Sequence, residues 1–96
     1  MGAYSLTRKA AADIDGIYTY TIEQHGLAMA RKYVNGLRAC FEHLAEYPML
    51  GRQAEQIAPD VRRHECQSHV VFYVPGDIGV TIVRVLHARM DVSRGV

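Results

Sequence analysis

Residues 8–46, RKAAADIDGIYTYTIEQHGLAMARKYVNGLRACFEHLAE, decide the fold of this chain. In the first half, side chains suited to a buried stripe recur at the spacing of an amphipathic helix, and they are Ala11, Ile14, Ile17, Tyr18, Thr21 and Ile22. The second half carries a cleaner stripe, made of Ala30, Tyr33, Val34, Leu37, Cys40, Phe41 and Leu44. Gly26 stands between the halves and suits the end of a helix. The stretch therefore predicts a tight helical hairpin, whose apolar seam needs another layer to cover it.

The flanking sequence supplies that layer as a sheet. Residues 3–7 form a short strand candidate, and Thr7 is a suitable N-cap for the first helix. After an irregular connection at 48–60, strand candidates follow at 61–66, 69–74 and 79–88, with short turns between them. We therefore predict one α+β domain over residues 1–96: a strand, the hairpin, then a three-stranded antiparallel meander, with the helices on one face of the sheet. The expected common core is Ile14, Ile17, Leu37, Phe41, Leu44, Val71 and Val83.

Composition narrows the class of protein. The chain is 49% hydrophobic and 22% charged, which is ordinary for a folded domain, and its net charge of +1 does not indicate a general nucleic-acid binder. The positive charge is concentrated at one end, because residues 62–96 hold five Arg against three acidic residues. Arg suits bidentate capture of carboxylates and phosphates, so we expect partner contacts in this last third.

The two cysteines and the N-terminus bear on the compartment. Cys40 and Cys66 show no CxxC spacing, and the first ten residues lack the apolar segment of a secretion signal. No apolar run approaches the roughly 20 residues that span a bilayer. The expectation is a cytoplasmic protein without membrane contact, with both thiols reduced and Cys40 packed in the core.

A basic cluster is the candidate site, and its members are Arg62, Arg63, Arg84, His87 and Arg89. In one interpretation His87 acts as general acid or base in RNA cleavage, while Arg62 and Arg84 stabilise the charge of the phosphorane. In the other, the cluster is a solvated face or an edge where another protein docks. The nearby HECQSH, residues 64–69, spaces its histidines wrongly for a helical zinc motif, so no metal or cofactor is expected.

The whole chain resembles the ParE branch of the RelE/ParE toxin superfamily. The similarity is carried by SLTRKAAADIDGIYTYTIEQHG at 5–26, YPMLGR at 47–52, VRR at 61–63, SHVVFYV at 68–74 and IVRVLHARMD at 82–91. Lys occurs only at positions 9 and 32, in the helical half, and Ala88 stands where nuclease members often carry an aromatic residue. Both features favour the ParE branch. Met90 and Val74 depart from it, because basic residues are common at those positions.

The resemblance implies the toxin of a bacterial type II toxin-antitoxin system. ParE-like members inhibit DNA gyrase by protein-protein binding and are not enzymes. A ParD-like antitoxin would neutralise the toxin in a higher-order complex and bring the DNA-binding element, so no direct sequence-specific DNA binding is expected. The residues expected to bind antitoxin or target are Arg62, Arg63, Arg84, His87, Arg89 and Met90. The alternatives are a RelE-like ribosome-dependent mRNA endonuclease, with His87, Arg84 and Arg62 catalytic, and an inactive relic that still binds antitoxin.

Overall fold

A computed structural model describes residues 3–89, which form a five-stranded sheet and two helices. In chain order the elements are β1 (Ala3–Leu6), α1 (Arg8–His25), α2 (Leu27–Glu46), β2 (Arg52–Gln53), β3 (Arg62–Cys66), β4 (His69–Pro75) and β5 (Gly79–His87). The strands lie in the order β1-β5-β4-β3-β2; β1 is parallel to β5 and the other neighbours are antiparallel. The predicted α+β fold is therefore confirmed, and β2 is an additional short strand within the connection expected to be irregular.

Thr7 and Gly26 set the two ends of α1. The Thr7 hydroxyl accepts a hydrogen bond from the Ala10 N–H at 3.1 Å and donates one to the Val83 carbonyl at 2.8 Å, so the α1 cap also attaches this helix to β5. Gly26 has a φ of 89°, a conformation that L-residues with a side chain rarely adopt. This single glycine ends α1 and lets α2 begin at the next residue.

The main core lies between the helices and the sheet. Leu37, Phe41 and Leu44 of α2 are buried there together with Val71 of β4, as predicted. Ile14 and Ile17 pack against this core while remaining partly exposed. A second, smaller core lies on the opposite face of the sheet, where the connection between β2 and β3 covers it; its buried members are Ala54, Val61, Val70, Phe72 and Leu86.

The predicted core position of Val83 is wrong. The pairing of β4 with β5 skips this residue, which is the extra residue of a β-bulge, and Val83 is only partly buried. A bulge shifts the alternation of side chains, so Ile82 before it and Val85 after it both enter the main core.

The expectation that both cysteines are reduced is also wrong for this structure. Cys40 of α2 and Cys66 of β3 form a disulfide, with their Cα atoms 6.5 Å apart. The helices cross the sheet so that the middle of α2 lies over the end of β3, which brings the two Cα atoms within the range that a disulfide spans. Cys40 is partly exposed, whereas Cys66 is buried.

Candidate functional site

A groove of about 840 Å³ runs between the two helices and the end of the sheet. Its walls come from α1, the first half of α2, the turn between β3 and β4, and the last residues of β5. It is open on this side because β1 pairs only with Gly79 to Ile82; within the described residues, no strand lies beside residues 83–87 on that edge. Tyr20 and Met29 project large side chains into the groove region and are 63% and 51% exposed.

Arg84 is held by an acidic residue of α1. Its guanidinium donates from Nε and Nη2 to the two carboxylate oxygens of Asp13, at 2.8 and 2.9 Å, and the Val85 N–H donates to the same carboxylate at 2.9 Å. The side chains of Arg84 and Asp13 are only 21% and 14% exposed, and the hydrogen bonds that Arg84 donates to Asp13 raise the pKa of Arg84 above its ordinary value. Asp13 thus neutralises Arg84 and binds the open edge of β5, so this arginine is part of the groove wall.

The predicted basic cluster does not come together. Arg62 pairs across the sheet with Tyr73, whereas His87 pairs with His69, four residues earlier on β4. Arg62 therefore lies toward the other end of the sheet from His87, and it donates a hydrogen bond to the Gly51 carbonyl. Arg84 and His87 both line the groove, whereas Arg62 does not, so the expectation that Arg62 lies near His87 is wrong. A binding role of Arg62 stays a prediction.

The other members of the predicted cluster are also dispersed. Arg63 lies over the ring of Phe72, 5.7 Å from the centroid, which places its guanidinium on the face of the sheet opposite the helices. Arg89 is exposed, and its backbone N–H donates to Nδ1 of His87 at 3.1 Å. Met90 lies outside the described residues.

A histidine pair and a tyrosine form one end of the groove. His69 and His87 are directly opposite on β4 and β5, with ring centroids 5.2 Å apart. The Tyr33 hydroxyl accepts from the Ser68 N–H at 3.0 Å and shares a second hydrogen bond with Nδ1 of His69, 2.6 Å away. Burial, and then the neighbouring His87, lower the pKa of His69 below its ordinary value.

The lowered pKa of His69 predicts a pH dependence of stability. The unfolded chain takes up a proton at this residue more readily than the folded protein, so acidification favours unfolding. The contribution of His69 should be fully present above pH 6.5, its ordinary pKa, and should be lost as the pH falls through the lower pKa of the folded state.

The measurement is the free energy of unfolding by urea at about pH 7.5 and about pH 5.5. His69→Gln should reduce the difference between the two values, whereas His64→Gln, on β3 outside the groove, should leave it closer to that of the unaltered protein. An equal difference in the protein and in His69→Gln would contradict this assignment.

Sequence reasoning did not single out Asp13 or His69 as site residues, and it assigned Tyr33 to the core. Asp13 had a detectable signal, because it follows Ala10 by three residues and precedes Ile17 by four, at the margin of the buried stripe. His69 has no comparable signal, since its role depends on strand pairing.

Among residues 3–89, no three His, Cys, Asp or Glu side chains lie together in a way that could hold a metal ion. The helices in this range are not long and apolar enough to cross a membrane.

Comparisons with known proteins agree with this geometry. A solved structure described as the chromosomal ParDE TA system from P. aeruginosa matches with a TM-score of 0.77 and 26% identity, covering 91% of this chain and 96% of that chain. Toxin ParE1 of Caulobacter vibrioides is 42% identical over 95% of this chain and 94% of its own length, and Toxin ParE of Escherichia coli is 36% identical over 95% and 89%.

The family model for the ParE toxin of the type II toxin-antitoxin system parDE matches residues 4–92. The fold is thus that of a toxin of the RelE/ParE superfamily. The chain belongs to the ParE toxin family of type II toxin-antitoxin systems.

Proposed function

We propose that this toxin inhibits DNA gyrase by binding it, without chemistry of its own, and that a ParD-like antitoxin neutralises it by occupying the groove. Membership of the ParE family supports the toxin role. The choice of binding over catalysis rests on Arg84, whose guanidinium donates hydrogen bonds to both carboxylate oxygens of Asp13. A guanidinium whose charge is already paired with a carboxylate is poorly placed to stabilise a phosphorane. The proposed place of action is the cytoplasm.

The groove fits an amphipathic helix of the antitoxin. Its lining combines exposed apolar surface at Tyr20 and Met29 with a cationic side chain at Lys32, which suits a partner with apolar anchors and an acidic flank. The antitoxin segment is expected to be largely disordered when free and to fold on the toxin. Arg62 and Arg63 lie outside the groove lining, so a partner that also reaches them must continue around the sheet.

The runner-up function, RNA cleavage on the ribosome, requires His87 beside two free arginines. His87 is exposed, but Arg62 lies toward the other end of the sheet and Arg84 is neutralised. The dispersion of these residues favours the docking interpretation, in which the end of β5 and the segment after it contact the target.

The proposed target is tested with purified gyrase and supercoiled DNA. The toxin should cause gyrase to accumulate cleaved DNA, because a binder shifts the equilibrium of its target toward the state that it binds more tightly. Preincubation with the antitoxin encoded beside the toxin should abolish the effect. Unchanged supercoiling and no cleaved DNA at a large molar excess of toxin would contradict the assignment.

A shortened chain serves to locate the contact with gyrase. A chain ending at His87 keeps every residue identified in the two buried cores, so we expect it to fold. It should no longer stabilise cleaved DNA if the end of the chain is the docking segment. Full activity of the shortened chain would place the contact elsewhere.

A further inference from the structure

The disulfide lies next to the turn that forms one end of the groove. Cys66 is the last residue of β3, and the turn between β3 and β4 follows it directly. Residues of this turn, Gln67 and Ser68, line the groove together with Tyr33 of α2. A covalent bond between Cys40 and Cys66 therefore ties this part of the groove wall to the middle of α2.

A second set of contacts ties the same turn to α2 at Tyr33. The Gln67 side-chain amide donates to the Tyr33 carbonyl at 2.9 Å, and the Ser68 N–H donates to the Tyr33 hydroxyl at 3.0 Å. The side chain of Gln67 also packs on Gly36, where an added Cβ would come within 2.6 Å of its amide oxygen. The turn is thus attached to the helix on two sides, by hydrogen bonds and by the disulfide.

The turn needs these attachments because of its backbone conformation. Gln67 has a φ of 58°, the only positive φ of a non-glycine residue in the described part of the chain. Left-handed conformations are unfavourable for residues with a side chain and persist where surrounding contacts impose them. Removing one attachment should therefore allow the turn to relax, and the groove wall with it.

We propose that Cys40 and Cys66 form a redox modification site, whose oxidation by a low-molecular-weight disulfide fixes the groove wall and whose reduction loosens it. Cys40, the more accessible of the two, reacts first. Its thiolate attacks one sulfur of the small disulfide, forming a mixed disulfide and releasing one thiolate. The Cys66 thiolate then attacks the Cys40 sulfur, which breaks the mixed bond and releases a second thiolate. The two protons lost by the cysteines end on the two released thiols.

The redox site is tested on the full chain with oxidised and reduced glutathione at fixed ratios. Oxidised glutathione should remove both free thiols, as counted by alkylation and mass, without leaving glutathione attached. Reduction should lower the melting temperature by about 10 °C or more, because a cross-link over this span restricts the unfolded chain. Hydrogen exchange at the Ser68 amide should be at least about tenfold faster in the reduced protein, because the turn opens more often once one of its attachments is lost.

The variant Cys40→Ser provides a control that cannot form the bond. It should melt like the reduced protein, and oxidised glutathione should not raise its melting temperature, because the single remaining thiol can form no intramolecular cross-link. Two free thiols in the presence of excess oxidised glutathione would overturn the proposal, as would equal Ser68 exchange in the oxidised and reduced proteins.

A third readout rests on the proposed function, because it measures binding of the antitoxin in the groove. The oxidised toxin should bind the antitoxin encoded beside it about tenfold more tightly than the reduced toxin. In the oxidised toxin the groove wall is already ordered, so binding does not have to order it. Equal affinities together with a redox-dependent melting temperature would overturn the link to the groove. Absence of binding in both redox states would count against the proposed function, while the thiol count and Ser68 exchange would still decide the redox site.

Discussion

Gly16→Trp is expected to weaken antitoxin binding by about a hundredfold or more while the toxin stays folded. Gly16 lies on α1 and lines the groove, and a Cβ added there has no heavy atom within 4 Å. The free protein therefore has room for a side chain at this position. Replacing a glycine inside α1 also reduces the conformational freedom of the unfolded chain, which does not disfavour the helix. The indole would fill the space that the antitoxin helix needs.

Two variants control for effects other than the blocked groove. Gly16→Ala adds a single methyl group and should reduce affinity much less. Glu23→Trp places the same indole on an exposed position of α1 outside the groove lining and should bind normally. Because the chain has no Trp, each indole also reports on its surroundings by fluorescence. Titration calorimetry with the antitoxin gives the affinities, and normal binding by Gly16→Trp would show that the antitoxin does not use the groove.

Leu37→Ala is expected to cost about 2 to 5 kcal/mol of folding free energy. Leu37 is fully buried, at 0% exposure, in the core shared by both helices and the sheet. Removing its branched end loses apolar burial and leaves a cavity that close-packed neighbours fill only in part. For a chain of this length such a loss is a large part of the total stability.

Urea unfolding measures this loss, with Arg38→Ala as the matched control at the adjacent, exposed position of α2. The control should change stability by no more than about 0.5 kcal/mol. A loss of less than about 0.5 kcal/mol for Leu37→Ala would contradict the placement of α2 on the sheet.

The regular elements could be predicted because each has a local period. The stripes that include Ile17 and Leu37 have a helical spacing, and Gly26 marks the break between the helices, so the hairpin was predictable almost to the residue. The bulge at Val83 was not, because a strand with one extra residue has the same composition as a regular strand. The extent of the domain, residues 1–96, stays a prediction.

The site was less predictable than the fold because it depends on pairings between distant segments. Arg84 was identified as a prominent residue, but its partner Asp13 lies 71 positions away, and without that partner the guanidinium looked available. The disulfide was missed for the same reason, since a separation of 26 residues carries no signal until α2 is placed over β3. The roles of Arg62, Arg63, His87, Arg89 and Met90 in binding remain predictions.

The most direct test of the central claim, that this toxin acts by binding alone, is mRNA cleavage on translating ribosomes, measured beside the gyrase assay. The intact protein should produce no cuts at codon positions and should stabilise cleaved DNA with gyrase. His87→Ala should still stabilise cleaved DNA at saturating toxin, with the concentration needed raised roughly 5- to 30-fold, because one side chain at the rim of a docking surface contributes about 1 to 2 kcal/mol of affinity. Codon-position cuts by the intact protein that vanish in His87→Ala would contradict the account and assign His87 as the acid or base of a ribonuclease.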